Sequence, residues 1–213
     1  MFIFDSLSRD FRIYRKIPHH SPFIHSKIDD VGVIAVENVD GIIHSELITK
    51  PLKAKAFSEE KLHELVLRWS RNFDSVEGGD TRAPKFPLPN NYEFLLHYGV
   101  AYQHEKVLKH VELTLDKMAM GGIYDQIGGG FTRYSVDMLW KVPHFEKMLY
   151  DNGQLVRVYA LAYQRTQNPL FLEVVQQTVD FLQKELLGEN GLYYASIDAD
   201  SEGIEGKFYV WTF

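Results

Sequence analysis

From Ser58 to Leu186 the apolar residues recur at three- and four-residue spacing, which points the body of the chain to helices and away from a sheet. Leu62, Leu65, Val66, Trp69 and Phe73 form the first stripe. Ser58 is placed to cap it, with Glu59 and Glu60 in the first turn where the helix dipole favours negative charge. A second helix is expected from Asn90 or Asn91, either of which can cap it, to about Tyr102. Val107, Val111, Leu115 and Met118 mark a third, ending at Gly121 and Gly122. The spacing predicts a fourth from Pro143, whose missing N–H suits a first turn, carrying Phe145, Met148, Leu149, Leu155, Val156, Tyr159 and Tyr163. Asn168 and Pro169 open a fifth, with Phe171, Val174, Val175, Leu182 and Leu186 inward and Gly188 as its stop. The body is therefore expected to be mainly α, five helices joined antiparallel.

Either side of this body the period changes. Gly191–Ser196 and Lys207–Trp211 read as two strands of a small β-hairpin around an acidic loop. Residues 1–56 form an unassigned N-terminal segment, with short strands expected at Val31–Val36 and Gly41–His44 and a solvated linker at Lys50–Lys55. The 213 residues carry 45% hydrophobic and 24% charged side chains, enough for a core and too apolar for a disordered tail. A net charge of −6 argues against nucleic acid as a partner. The absence of cysteine excludes a disulfide framework, a zinc–thiolate or iron–sulfur site, a cysteine nucleophile and a C-x-x-C redox centre within these residues. With no apolar run near the roughly 18 residues of a membrane span and no signal-peptide pattern after Met1, a cytoplasmic protein without membrane contact is expected.

The 21 residues from Gly122 to Val142 break the helical pattern, and long connections inside compact domains are usually functional. Glycines there allow close backbone approach to a ligand, and they are interleaved with Tyr124, Asp125, Arg133, Asp137 and Trp140, then His144, Glu146 and Lys147. Aromatic faces beside carboxylates, Arg and His suit a neutral polyhydroxyl ligand. A structural cap with its charges paired accounts for the same residue types equally well. At a helix start His144 would be held neutral by the dipole and could accept a proton. The Gly128–Gly130 run fits neither nucleotide-binding pattern. His63-Glu64 and His104-Glu105 open zincin patterns that Leu67 and Leu108 fail to close. Asp198–Gly203 matches the start of a calcium loop, but Tyr209 stands where its bidentate Glu belongs. Asp198 and Asp200 are more simply the border of a sugar cleft or a solvated turn, and no metal or cofactor is expected.

Three ordered stretches, Ala83-Pro84-Lys85-Phe86-Pro87, Gly121–Asn152 and Asp198–Trp211, together resemble the thioredoxin-domain-containing, spermatogenesis-associated (YyaL-like) family. The resemblance covers residues 57–213 and implies a partial (α/α)6 toroid of the six-hairpin glycosidase type, similar to the N-acylglucosamine and cellobiose 2-epimerases. Twelve helices make such a barrel, so residues 57–213 are expected to be its first half, truncated at the C-terminus. Residues 1–50 show no thioredoxin pattern. The resemblance implies a carbohydrate-active domain whose small-molecule sugar loses the proton beside a ring-opened carbonyl. His144, Glu146 and Asp125 are the catalytic candidates. Arg133, Asp137, Trp140, Tyr124, Lys147, Asp198 and Asp200 are the substrate-binding candidates. Two alternatives stand beside it: a non-catalytic sugar- or protein-binding scaffold, and a glycoside hydrolase using paired carboxylates. Exposed stripes on a barrel fragment would favour a homo-oligomer.

Overall fold

The computed structural model describes residues 58–210. The chain divides into two units, residues 1–65 and 66–213, so the boundary falls inside the first helix. In the first unit the described part is the start of that helix, where Ser58 Oγ accepts the N–H of Lys61 at 3.3 Å, the cap expected from sequence. The strands expected at 31–36 and 41–44 lie outside the described residues.

Five α-helices are described: α1 Glu59–Trp69, α2 Pro89–Ala101, α3 Glu105–Ala119, α4 Leu149–Thr166 and α5 Pro169–Phe181. A 3-10 turn, Ser70–Asn72, extends α1, and a π turn, Leu182–Leu186, extends α5. Within the second unit α2 packs on α3 and α4, and α5 on α3 and α4. The stripe of Val107, Val111, Leu115 and Met118 is wholly buried, as are Leu155, Val158, Tyr159 and Phe171 on α4 and α5, and the Tyr159 hydroxyl donates to Leu115 O. Gly99 lets α2 approach α3, since a Cβ there would lie 2.6 Å from Leu108. Asn168 caps α5 by accepting the N–H of Leu170, with Pro169 in the first turn as expected. In α2 the capping expectation is shifted: Pro89 occupies the first turn, and Asn90 and Asn91 lie inside the helix.

The connections 102–104 and 167–168 are short, and the long ones, 70–88 and 120–148, meet where Lys85 and Ser135 exchange backbone hydrogen bonds. The second of these is ordered by hydrogen bonds. Strand β1 Tyr134–Ser135 pairs antiparallel with β2 Pro143–His144, and Asn152 clamps Phe131 through its N–H and carbonyl. The fourth helix therefore starts at Leu149 instead of Pro143. Residues 142–148 are extended because partners distant in sequence supply ladders: β1 on one side, and Ser196–Ile197 (β4) pairing with Lys147–Met148 (β3) on the other. The small hairpin also differs from expectation. It is formed inside the acidic segment, β5 Asp200–Ser201 with β6 Ile204–Glu205, turning at Glu202 and Gly203. Among the described residues no helix is long and apolar enough to cross a membrane.

Candidate functional site

Two turns at the long-loop end share one design. Asp125 Oδ1 accepts the N–H groups of Ile127 and Gly128, while Oδ2 accepts Lys147 Nζ at 2.8 Å. That ammonium also bonds Gly129 O and lies over the rings of Phe181 and Tyr209. Asp74 does the same with Val76, Glu77 and Lys85, whose Nζ bonds Gly78 O and lies over Trp140. Each turn carries two consecutive glycines at positive φ, Gly78 and Gly79 or Gly129 and Gly130. The matching strings are F-D-S-V-E-G-G at 73–79 and Y-D-Q-I-G-G-G at 124–130. Both lysines are 1% exposed, which a lysine tolerates only when paired. Burial raises the carboxyls of Asp74 and Asp125. The turn N–H groups and the lysines more than offset this, leaving both below the usual carboxylate range.

These locks absorb several residues that the sequence offers as ligand contacts. Asp125 and Lys147 hold each other. Trp140 is fully buried, its Nε1 donating to Glu77 O, so its ring has no free face for a sugar. Asp137 accepts the N–H groups of Leu139, Lys141 and Val142 and closes the β1–β2 loop. Tyr124 is 4% exposed and donates to Gln177, and burial pushes its phenol up to about 12.

A second grouping stays open. His144 Nδ1 lies 2.7 Å from Glu205 Oε1, and its ring stacks on Tyr134, which leans on Phe86. A carboxylate at that distance favours the hydrogen on Nδ1, which in the neutral ring leaves Nε2 as the acceptor. His144 lies in a strand, so no helix dipole acts on it as the sequence spacing implied; Glu205 orients it instead. Nε2 is 4.0 Å from Glu146 Oε2, and that oxygen accepts Arg133 Nη1 at 2.8 Å.

Asp151, in the first turn of α4, is a member the sequence reading missed. Burial raises its carboxyl to about 6, with Arg133 opposing and Glu146 adding to the shift. A raised folded value means that stability is lost as pH climbs through about 6. Asp151→Asn is therefore expected to be more stable than the native chain at pH 8, by about 1 kcal/mol after solvent screening, or roughly 2–4 °C in Tm. The two melting curves should converge near pH 4, and thermal scans across that range check it.

Beside these groups lies a cleft of about 660 Å³, bordered by Asp125, Lys147, Asp198, Asp200 and Tyr209. Asp198 accepts the N–H of Asp200, which pairs in register with Glu205, so one hairpin borders the cleft and holds His144. Among the described residues no cluster of three His, Asp or Glu is arranged to hold a metal.

The chain is 40% identical over 150 residues to spermatogenesis-associated protein 20 of Mus musculus and 39% identical to that of Homo sapiens, matching 66% of this chain and 19% of each relative. The resemblance to that family holds. An uncharacterised Caenorhabditis elegans protein matches at 36% over 167 residues, 72% of this chain and 23% of its own length. The chain thus spans about a fifth of the length of the curated relatives it matches. No family model matches it.

Among solved structures, a sugar epimerase from a ruminal bacterium superposes with a TM-score of 0.53 at 17% identity, over 65% of this chain and 41% of that one. Cellobiose 2-epimerase from Bacillus thermoamylovorans gives 0.53 at 18%, over 61% and 37%. A heparin-specific unsaturated glucuronyl hydrolase gives 0.53 at 12%, over 65% and 42%. These likenesses show the fold: the described helices are part of an (α/α)6 toroid.

Proposed function

We propose that this chain supplies part of a carbohydrate-processing site in which His144 acts as a base on a ring-opened sugar. The observation that carries this reading is the His144–Glu205 pair, which presents Nε2 beside the Arg133–Glu146 pair at the long-loop end. In the step, the C–H bond beside the carbonyl breaks, its proton moves to His144 Nε2, and its electron pair forms the enediolate. A proton from solvent added to the other face completes epimerisation, and His144 returns its own proton to solvent. Glu205 is a positioning residue that stabilises the imidazolium as it forms. Arg133 and Glu146 offer hydroxyl contacts, and Asp198 and Asp200 line the adjoining cleft. The fold shared with two sugar epimerases supports the reading by analogy.

The proposal is tested by following deuterium entry from D2O at C2 of aldoses, N-acyl amino sugars and disaccharides by NMR. Exchange is expected with the native chain and is expected to fall about 100-fold or more in His144→Ala with its cooperative melt retained. A native chain that melts cooperatively yet exchanges no sugar overturns the proposal. Two observations support other readings. Asp151, its carboxyl raised to about 6 by burial with Glu146 adding to the shift, suits the general acid of a hydrolase. The engagement of Asp125, Asp137, Trp140 and Lys147 in structure suits a non-catalytic binding domain.

A further inference from the structure

Between the C-terminal end of α1, α2 and α3 lies a second cavity of about 340 Å³, wholly within the second unit and separate from the acidic cleft. His110, in the middle of α3, forms part of its wall and is only 7% exposed. Its ring lies flat on Phe73, 3.7 Å between centroids at an interplanar angle of 7°. Burial pushes the imidazole down to about 4, Asp74 opposing and Lys85 reinforcing, so at neutral pH it is uncharged, with one N–H donor and one bare nitrogen. Among the described residues neither ring nitrogen has a hydrogen-bond partner; the bond that His110 makes is through its backbone carbonyl, which accepts the Thr114 hydroxyl. A polar side chain this deeply buried normally has its hydrogen bonds made, and this one opens on a cavity.

The rest of the lining says what would satisfy it. Asn72 and Asn91 bring amides that both donate and accept, and Asp80 and Arg82 pair at 3.3 Å near the surface. Trp69 and Phe86 add aromatic faces, Phe86 being 40% exposed. Lys85 is neutralised by Asp74, so the wall carries no free charge of either sign toward a ligand. Matched donors and acceptors, aromatic faces and no net charge suit a neutral ring that has hydroxyls on its edge and C–H groups on its face. The volume is at the small end of ligand pockets, enough for one such ring.

We propose that this cavity binds a single neutral pyranose ring, with His110 and the two asparagine amides bonding its hydroxyls against Trp69 and Phe86. The site shares with the proposed function only the class of ligand. Methyl α-D-glucopyranoside, methyl α-D-mannopyranoside and methyl N-acetyl-β-D-glucosaminide are the probes, because a methyl glycoside cannot open to the aldehyde and so cannot undergo the proposed chemistry at His144. Binding is read by saturation-transfer NMR and calorimetry. At least one probe is expected to saturate the native chain, with Kd raised tenfold or more in His110→Phe and within twofold of native in His144→Ala. Phenylalanine keeps the stack on Phe73 and removes only the polar nitrogens. If that variant fails to melt cooperatively, Asn72→Ala, at an exposed position, takes its place with the same expected loss. The proposal is overturned if no probe saturates, if the cavity variant binds as the native chain does, or if His144→Ala is the variant that loses binding.

Discussion

Lys147→Ala is expected to cost about 3–5 kcal/mol, a large part of the stability of a domain this size. The ammonium is 1% exposed and is the partner of Asp125 Oδ2, Gly129 O and two aromatic faces, so its loss strands a half-buried carboxylate and opens a void. Denaturant midpoints measure the loss. Lys147→Met with Asp125→Asn should recover most of it, since the amide oxygen still accepts Ile127 and Gly128 and nothing charged is left unpaired. Lys85→Ala should behave alike, because Asp74 sits in the equivalent turn at 73–79 and holds Lys85 in the same way. A loss below 1 kcal/mol would contradict the buried geometry. The depressed Asp125 carboxyl adds a sign: its contribution is present above the unfolded carboxylate value and is lost as pH falls through the folded one.

Gly122→Ala is expected to be nearly as damaging, at roughly 2–4 kcal/mol. A Cβ at that position would sit 2.0 Å from the carbonyl oxygen of Lys141, a backbone atom that cannot turn aside. The contact lies where the chain enters and leaves the segment that carries Tyr134 toward His144, with Ile123 N–H bonding Trp140 O alongside. Amide exchange across 123–142 should rise together with the drop in denaturation midpoint. Gly153→Ala is the control. Its Cβ meets nothing within 4 Å, and inside α4 alanine should be neutral or stabilising by about 0.5–1 kcal/mol. Equal effects at the two glycines would sink the account of Gly122.

The helices were legible because their signals are local. Val107, Val111, Leu115 and Met118 are spaced for one face and are buried on it, and Asn168-Pro169 needs only its own turn to start α5. The start of α4 was not legible, since Pro143 is held extended by Tyr134–Ser135, and Lys147 by Ser196–Ile197, neither visible from local spacing. The site divides the same way. The Gly122–Val142 segment stands out in the sequence, but whether Asp125 or Trp140 faces ligand or core depends on tertiary contacts. His110 sits between Val107 and Val111 like an ordinary core residue, and only the cavity beside it distinguishes it. The paired F-D-S-V-E-G-G and Y-D-Q-I-G-G-G strings were readable throughout, as the mark of two equivalent turns, though the strings alone do not show that a buried lysine completes each.

Those two turns bear on how this end of the protein would meet the ligand proposed for it. Each fastens its loop through an ion pair and two backbone N–H groups, and the loops are fastened to each other where Lys85 and Ser135 exchange both backbone hydrogen bonds. Ordering of the rim is thus completed during folding, and a molecule arriving there meets a surface already in its final shape. The entropy that binding would otherwise lose to stiffening loops has been spent in advance. At the proposed site discrimination would come from fit and not from closure, so substitutions that loosen either turn should blur selectivity between similar ligands before they abolish binding.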